Sequence, residues 1–522
     1  MAALMGAAMV LTACGGGNTT TPTTGASSGG ETKTASESAE SGKITKTDII
    51  VGQAADIVTL DPAGQQDTTS GVLMKHAYST LLDVDNEGKV VPDLAESYEM
   101  KSDTEYVFKL REDACFWDGT PVTAQDVKFS LDRAKGMPKT KSNTSKIEEV
   151  IVNGDHEVTI KLTEPYAAFK TIVTQHNLSI LSEKAVTEAG DSYGDVDNLL
   201  GSGPFKVTEW VPNDHYTLVR NDNYWGEMPI ATSITCRVIP EGSARTIALE
   251  AGEIDVVWSV DPTDCANVES NPDVKLLSQP STGIDYVGMN TQKEKFSDKR
   301  VRQAINYALD KQTFVDTIIE GRGLVANSYI NAAIPGWTDE VEAYPYDPEK
   351  AKELLAEAGY PDGFECTIFV NGDLRTRSAQ ILQAQLADVG IKVDISTYEW
   401  GALLDTLNAG EHEMFLLGWS NTSFDPDGST YQLFYSGNHG ATGNRAFFSN
   451  DKVDELILSA QRESEESKRM ELYKELQFVL HDESPWCPLY YKENNVGVRA
   501  DLKGFTLHAG AQHYLGNCHY EE

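Results

Sequence analysis

The clearest periodicity lies in the second half of the chain. Val301, Ala304, Ile305, Ala308 and Leu309 recur at spacings of 3, 4, 7 and 8, the pattern of a helix with one buried face, and Ser297 upstream is its expected N-cap. Asp347 followed by Pro348 reads as a cap with proline at the first helical position. Ala351, Leu354, Leu355 and Ala358 supply that helix's apolar face, and Gly359 its stop. A third helix is expected over 376–389, with Ala379, Leu382, Leu386 and Val389 inward and Gly390 ending it. The period then changes from 3.6 to 2: Ile391, Val393 and Ile395 alternate with Lys392, Asp394 and Ser396, so 391–398 reads as a strand. With 365–370 as the preceding strand this is a βαβ unit, which implies a right-handed crossover in a partly parallel sheet.

The first half is richer in short strands, at 105–110, 157–162, 205–210 and 216–220, punctuated by Asp-Gly and Pro signals. One helix interrupts them. It opens at Thr123, and Asp126, three residues later, is placed as the acidic partner of a capping box. The fold class expected is therefore α/β. A chain of 522 residues exceeds what one hydrophobic core usually organises, so two or three domains are expected, with room for a cleft between them.

Charge removes one class of function. With 43 Lys+Arg against 80 Asp+Glu the formal charge is -37, which repels nucleic-acid phosphates. At 40% apolar and 9% aromatic residues the chain still builds packed cores, so the acidity is that of a globular surface.

Residues 1–13 are almost wholly apolar and lead into Leu11-Thr12-Ala13-Cys14, followed by Gly15-Gly16-Gly17. The run is shorter than the roughly 20 residues a membrane-spanning helix takes, and suits the apolar region of a secretion signal. It resembles a bacterial lipoprotein signal, which implies that Cys14 is lipidated and becomes the first mature residue. No Lys or Arg precedes Cys14, whereas a secretion signal begins with a positive region, which is one departure from the pattern. Residues 15–43 are dominated by Gly, Ser, Thr, Ala and Glu without a helical or strand period and read as a disordered tether, roughly 30 Å from end to end as a flexible coil.

Chemistry-bearing motifs are few. Cys115, Cys236, Cys265, Cys366, Cys487 and Cys518 are widely spread without a Cys-x-x-Cys, which leaves their pairing open and disfavours zinc or a redox motif. The ten histidines form no His-x-x-x-His pair, so no metal site and no cofactor is expected. Neither a Gly-x-Ser-x-Gly elbow nor a His-Glu-x-x-His is present, so no catalytic residue is nominated; an extracellular hydrolase is the remote alternative.

From about Ile44 to the C-terminus, several segments carry a family resemblance. They include Phe116-Trp117-Asp118-Gly119-Thr120-Pro121, Gly201-Ser202-Gly203-Pro204-Phe205 and Arg220-Asn221-Asp222-Asn223-Tyr224-Trp225-Gly226. Further on come Val301-Arg302-Gln303-Ala304, Asp347-Pro348-Glu349-Lys350-Ala351, Tyr398-Glu399-Trp400-Gly401, Gly418-Trp419 and Pro488-Leu489-Tyr490-Tyr491. In this order and spacing they resemble the extracellular solute-binding proteins of family 5, the dipeptide- and oligopeptide-binding lipoproteins of ABC importers. The resemblance implies a two-lobe periplasmic-binding-protein-like α/β fold (type II, peptide class) with an extra inserted domain. By analogy, lobe I is 44–65, 198–290 and 495–522, the inserted domain 66–197 and lobe II 291–494. It also implies a non-enzymatic monomer on the outer face of the bacterial cell membrane, periplasmic where there is an outer membrane. That monomer closes on a peptide and delivers it to permease subunits, touching the membrane through its lipid alone.

The resemblance also locates candidate ligand contacts, with departures. In dipeptide-binding relatives an aspartate three residues beyond the Trp of the Gly-Trp pair holds the ligand's amine; here that position is Thr422. The position expected for a carboxylate-binding arginine falls on Phe369, with Arg375 and Arg377 near enough to substitute. A buried ammonium without a partner costs several kcal/mol by about the same reasoning that governs any buried charge, so Thr422 points to longer peptides over free dipeptides. Asp425 and Asp427 are the candidates to take over the amine, although Asp425-Pro426-Asp427-Gly428 is first of all a turn. Trp419 ends the apolar run Met414-Phe415-Leu416-Leu417 and is either core or a stacking surface; Asn371 and Trp400 are further candidates, and Arg445 is either a contact or a solvated loop charge. Trp400, Trp419 and Tyr431 would also suit an oligosaccharide, and nickel complexes or haem are alternatives on the same fold.

Overall fold

The computed structural model of the protein describes residues 43–522. Cys14 and all but the last residue of the expected tether lie outside the described residues. Two long strands, Val274–Met289 and Trp486–Arg499, pair antiparallel in the middle of an eleven-stranded sheet. On one flank lie Met414–Ser420, Phe364–Val370 and Ile391–Thr397; on the other, Val256–Val257, Asp48–Gln53, Ser233–Val238, His215–Arg220 and Phe205–Val211. The ladder between the long strands breaks between Pro280 and Ile284, where the Ser281 hydroxyl donates to the Lys492 carbonyl at 2.7 Å.

Each flank has its own core. On the first, Ile305, Leu382 and Leu386 of the covering helices meet Ile368, Val370 and Ile391 of the strands; on the second, Ile49, Val51, Phe205, Tyr216 and Ile234 are packed together. A separate antiparallel sheet, ordered Ala95–Ser102, Glu105–Leu110, Glu157–Leu162, Ile147–Gly154, shares a third core with the helix Ala124–Lys135. Its strand Glu105–Leu110 buries Tyr106, Phe108 and Leu110 on one face, as a period of 2 requires.

The elements follow local chemistry closely. The capping box at Thr123 is complete: its hydroxyl accepts from the Asp126 N–H, and the Asp126 carboxylate accepts from the Thr123 N–H at 2.9 Å. Asp347 caps Pro348–Glu357 by accepting from the Lys350 N–H at 2.9 Å. The βαβ unit is present, with Phe364–Val370 parallel to Ile391–Thr397 across the helix Gly372–Ala387. Two boundaries differ from expectation. Asp298, not Ser297, caps Lys299–Ala308, because its carboxylate accepts from the Arg300 N–H at 2.9 Å while the Ser297 hydroxyl donates to Glu294 of a preceding turn. The helix expected from 376 begins at Gly372, with φ +69, because its first turn is polar apart from Leu374 and lies outside the amphipathic window. The six described cysteines are free, and no described helix is long and apolar enough to cross a membrane.

Candidate functional site

Strands from both flanks of the sheet end at one half-open cavity of ≈ 410 Å³. Gln53 ends Asp48–Gln53, Asn371 follows Phe364–Val370, and Trp419 and Ser420 end Met414–Ser420; all four line the cavity. The carboxyl ends of strands are where an open α/β sheet leaves a crevice, since the backbone there turns away to both sides. Helix starts complete the wall: Asp67 caps Thr68–Ala77, Trp400 opens Trp400–Asn408, and Arg375 lies in the first turn of Gly372–Ala387.

Several polar atoms of the residues that line this space have no partner in the protein. Asp67 accepts from the Ser70 N–H through Oδ1 at 2.9 Å, while its Oδ2 is buried without a partner in the protein. Burial raises the Asp67 carboxyl above the ordinary carboxylate range, since desolvation disfavours its charged form. Both amide atoms of Gln53 and the indole N–H groups of Trp258 and Trp400 are likewise buried without partners. A buried polar group left unpaired costs about 1–3 kcal/mol. Several around one cavity mark a place built to hydrogen-bond something that enters it.

Cations share the wall. Arg445 is only 6% exposed and donates through Nε to Asn408 Oδ1 at 3.0 Å; no carboxylate among the described residues lies within ion-pair distance of it. Burial lowers the affinity of its guanidinium for the proton. Arg375 donates to Asn371 Oδ1 at 2.8 Å, lies 5.9 Å from the centre of the Trp400 ring, and is 4.0 Å from Asp285, which Lys492 already engages at 2.7 Å.

The residues nominated from the sequence divide cleanly. Trp419, Thr422, Asn371, Trp400 and Arg445 line the cavity. Trp419 donates its indole N–H to the Gly428 carbonyl at 3.0 Å, and Thr422 donates to Gln175 Oε1 at 2.8 Å. Phe369, Arg377, Asp425 and Asp427 do not line it. Phe369 packs against Tyr398 with ring centroids 4.9 Å apart, and Arg377 is paired with Asp261 at 2.7 Å. Asp425 accepts from Arg469 at 2.9 Å; Asp427 accepts from the Tyr166 hydroxyl at 2.6 Å and from Gln461 at 2.9 Å. Tyr431 also turns away into a core, its hydroxyl 2.9 Å from that of Ser145. Asp67, Gln53 and Trp258 escaped the sequence reading. Asp67-Thr68-Thr69-Ser70 signals only a helix start, and nothing local says that the cap has a second oxygen facing a cavity.

The geometry has close counterparts. The family model of bacterial extracellular solute-binding proteins, family 5 Middle, matches residues 89–441. The glutathione-binding protein GsiB of Escherichia coli strain K12 is 31% identical over 479 residues, covering 88% of this chain and 92% of that protein. The dipeptide-binding protein of the same strain is 30% identical over 470 residues, covering 83% and 86%. Among solved structures, the periplasmic binding protein DppA from Helicobacter pylori, in complex with the peptide STSA, superposes with a TM-score of 0.87 at 28% identity, covering 92% of this chain and 99% of that one. AppA from Bacillus subtilis, an oligopeptide-binding protein in complex with a nonapeptide, gives 0.84 at 26% identity, covering 92% and 100%. The α/β architecture is thus the two-lobe one that the sequence motifs implied. On these matches, the chain belongs to the bacterial extracellular solute-binding proteins, family 5.

Proposed function

We propose that this chain is the ligand-capturing subunit of an ABC importer, a monomer held on the outer face of the bacterial cell membrane by a lipid on Cys14. Its ligand is a short peptide, with tri- to hexapeptides preferred over free dipeptides, and its protein partners are permease subunits in the membrane. The observation that carries this reading is the half-open cavity of ≈ 410 Å³ whose wall residues include an unpartnered carboxylate oxygen, unpartnered amide atoms and an arginine with no carboxylate within ion-pair distance. A peptide presents the matching set: an ammonium, backbone N–H and C=O groups, and a carboxylate. Related proteins are named for binding glutathione and dipeptides, and solved relatives hold a tetrapeptide and a nonapeptide.

The proposed lobes are 44–65 with 198–290 and 495–522, and 291–494, with 66–197 inserted. On that division Thr422–Gln175, Arg377–Asp261 and Tyr166–Asp427 are contacts that form on closure. A ligand touching both sides stabilises the closed state by its differential affinity, and the permease reads that state. A second reading rests on the indoles of Trp258, Trp400 and Trp419 among carboxamides, a surface that also suits an oligosaccharide.

Thermal unfolding against pools of dipeptides, tri- to hexapeptides and oligosaccharides tests both. A ligand at 100 times its Kd adds about 2.7 kcal/mol to the folded state, a rise of a few degrees in Tm. A shift with the longer peptides is expected; a shift with sugars alone overturns the peptide assignment.

A further inference from the structure

Apolar packing divides the molecule in one place, and polar contacts cross that division in another. Along the two long strands the apolar clusters change over at the same level. Leu277 and Val496 pack with Ile49 and Phe205, whereas Ile284 and Tyr491 pack with Phe415 and Leu456. The ladder between the strands breaks between Pro280 and Ile284, at that level too. Residues 284–491 therefore form one body on their own cores, within a few positions of the proposed lobe II. The inserted domain is fixed to the other side. Leu73, Met74, Tyr78 and Trp117 share a core with Phe205 and Tyr216, and Arg133 pairs with Asp61 at 2.6 Å. That packing parts only by exposing apolar surface to water.

Between the inserted domain and the body 284–491 the joint is of another kind. A polar seam starts at the cavity wall, where Thr422 donates to Gln175 at 2.8 Å and Gln432 donates to Asn143. Behind the wall the Tyr166 hydroxyl donates to Asp427 Oδ2 at 2.6 Å and the Ala167 N–H to the Gln461 carbonyl at 2.8 Å. At the surface the half-exposed Arg462 donates to Glu164. Gln461 also donates its carboxamide to Asp427 Oδ1 at 2.9 Å, so one buried carboxylate takes a donor from each side of the seam. Phe424, edge-on to His508 at 5.6 Å, is an apolar exception across the divide. Polar groups of this kind separate at small net cost, because water takes over each partner on opening, yet together they hold two surfaces in one register.

We infer that this seam is a clasp: the body 284–491 swings about 278–283 and 492–495 and closes on the inserted domain through Tyr166, Asp427 and Gln461 without needing a ligand. These residues, outside the cavity wall, are positioning residues that set how much of the protein stands closed before a ligand arrives. A ligand that selects the closed state then meets it preformed, and its apparent affinity rises with that closed fraction. The inference rests on the proposed hinge closure and goes beyond it.

Hydrogen exchange of the unliganded protein, freed of carried-over ligand by unfolding and refolding, tests it. The Ala167 amide is protected while it donates to Gln461, so its exchange rate reads the open fraction. Tyr166→Phe keeps the buried ring and removes the donor to Asp427. Exchange at Ala167 is expected to rise by about tenfold or more in that variant, while the neighbouring strand 157–162 exchanges as before. Arg462→Gln, at a half-exposed site, is expected to raise it by about two- to fivefold, and carries the test should Tyr166→Phe fail to fold. Three results overturn the inference: Ala167 unprotected in the unaltered protein, unchanged exchange in both variants, or an equal rise over 157–162, which would mean a loosened fold. No ligand enters the measurement, so failure here leaves the peptide reading standing, and failure of the peptide pools leaves the clasp standing.

Discussion

Two of the sites that bury carboxylates differ in what is left over. Asp425 and Asp427 form a closed network with Arg469, Tyr166 and Gln461, in which every carboxylate oxygen has a protein partner. Asp67 has one oxygen on a helix N-terminus and the other without a hydrogen-bond partner, near the Trp400 indole. By residue type the first pair is the better candidate for an ammonium: two acids in a turn, beside the Gly-Trp motif. By hydrogen-bond inventory it has no capacity to offer. A ligand site is recognised by unpaired polar groups facing a cavity, and a charge-rich sequence segment says nothing of whether its charges are already matched.

The largest expected effect follows from the closed network. Arg469→Met leaves Asp425 buried without its counter-ion and is expected to lower stability by about 3–5 kcal/mol in chemical denaturation. Asp67→Asn is expected to cost less than about 1 kcal/mol, because Asn caps a helix as well as Asp does. Equal stability losses in the two variants would break the comparison.

Acid titration separates buried carboxyls from buried histidines by sign. Burial, together with the neighbouring Asp425, pushes the Asp427 carboxyl up to about 6, so the folded state binds its proton more readily than the unfolded chain does. The stability this contributes is full below the unfolded pKa and is lost as pH rises through about 6. Buried histidines act in the opposite direction: desolvation lowers His76, His412 and His508 to about 4, and His176 and His513 to about 3. Their contribution is present above about 6.5, the unfolded value, and is lost as pH falls. The five histidines outnumber the raised carboxyls of Asp67, Asp93 and Asp427, so the protein is expected to lose stability from pH ~6.5 downward. Asp427→Asn, which removes one of the opposing groups, is expected to steepen that loss between pH ~6 and ~4 by up to about 1.4 kcal/mol per pH unit. Unfolding free energies at half-unit pH intervals measure it, and an unchanged slope would mean that Asp427 titrates normally.

The smallest effect is expected at Thr422. Thr422→Val removes the 2.8 Å hydrogen bond to Gln175 and is expected to weaken peptide binding by about 0.5–1.5 kcal/mol, roughly two- to tenfold, by titration calorimetry. A loss of about a hundredfold or more would instead make Thr422 a principal ligand contact.

Much of this was legible along the chain. Caps at Thr123 and Asp347, the change of period at Gly390, and the strands 105–110 and 157–162 follow from residues within a few positions of one another, where backbone donors, side-chain oxygens and apolar spacing act locally. Trp400, Trp419 and Arg445 were nominated because they sit in or near segments that resemble a known family. What stayed hidden depends on distant partners. Phe369 and Arg377 sit close in sequence to Asn371 and Arg375, yet Phe369 packs on Tyr398 while Arg377 reaches Asp261, 116 positions away.

By itself, then, the sequence determined the element pattern, the α/β class and the family, because capping, periodicity and ordered motifs are short-range or collective properties of the chain. Only the tertiary structure decided which carboxylate is free. Asp425 is taken by Arg469, 44 positions on, and Asp427 by Tyr166, 261 positions back, whereas Asp67 Oδ2 has no hydrogen-bond partner among the described residues. Whether a charge is satisfied is set by what folding brings within about 3 Å of it, and that distance is not written in the neighbourhood of the residue.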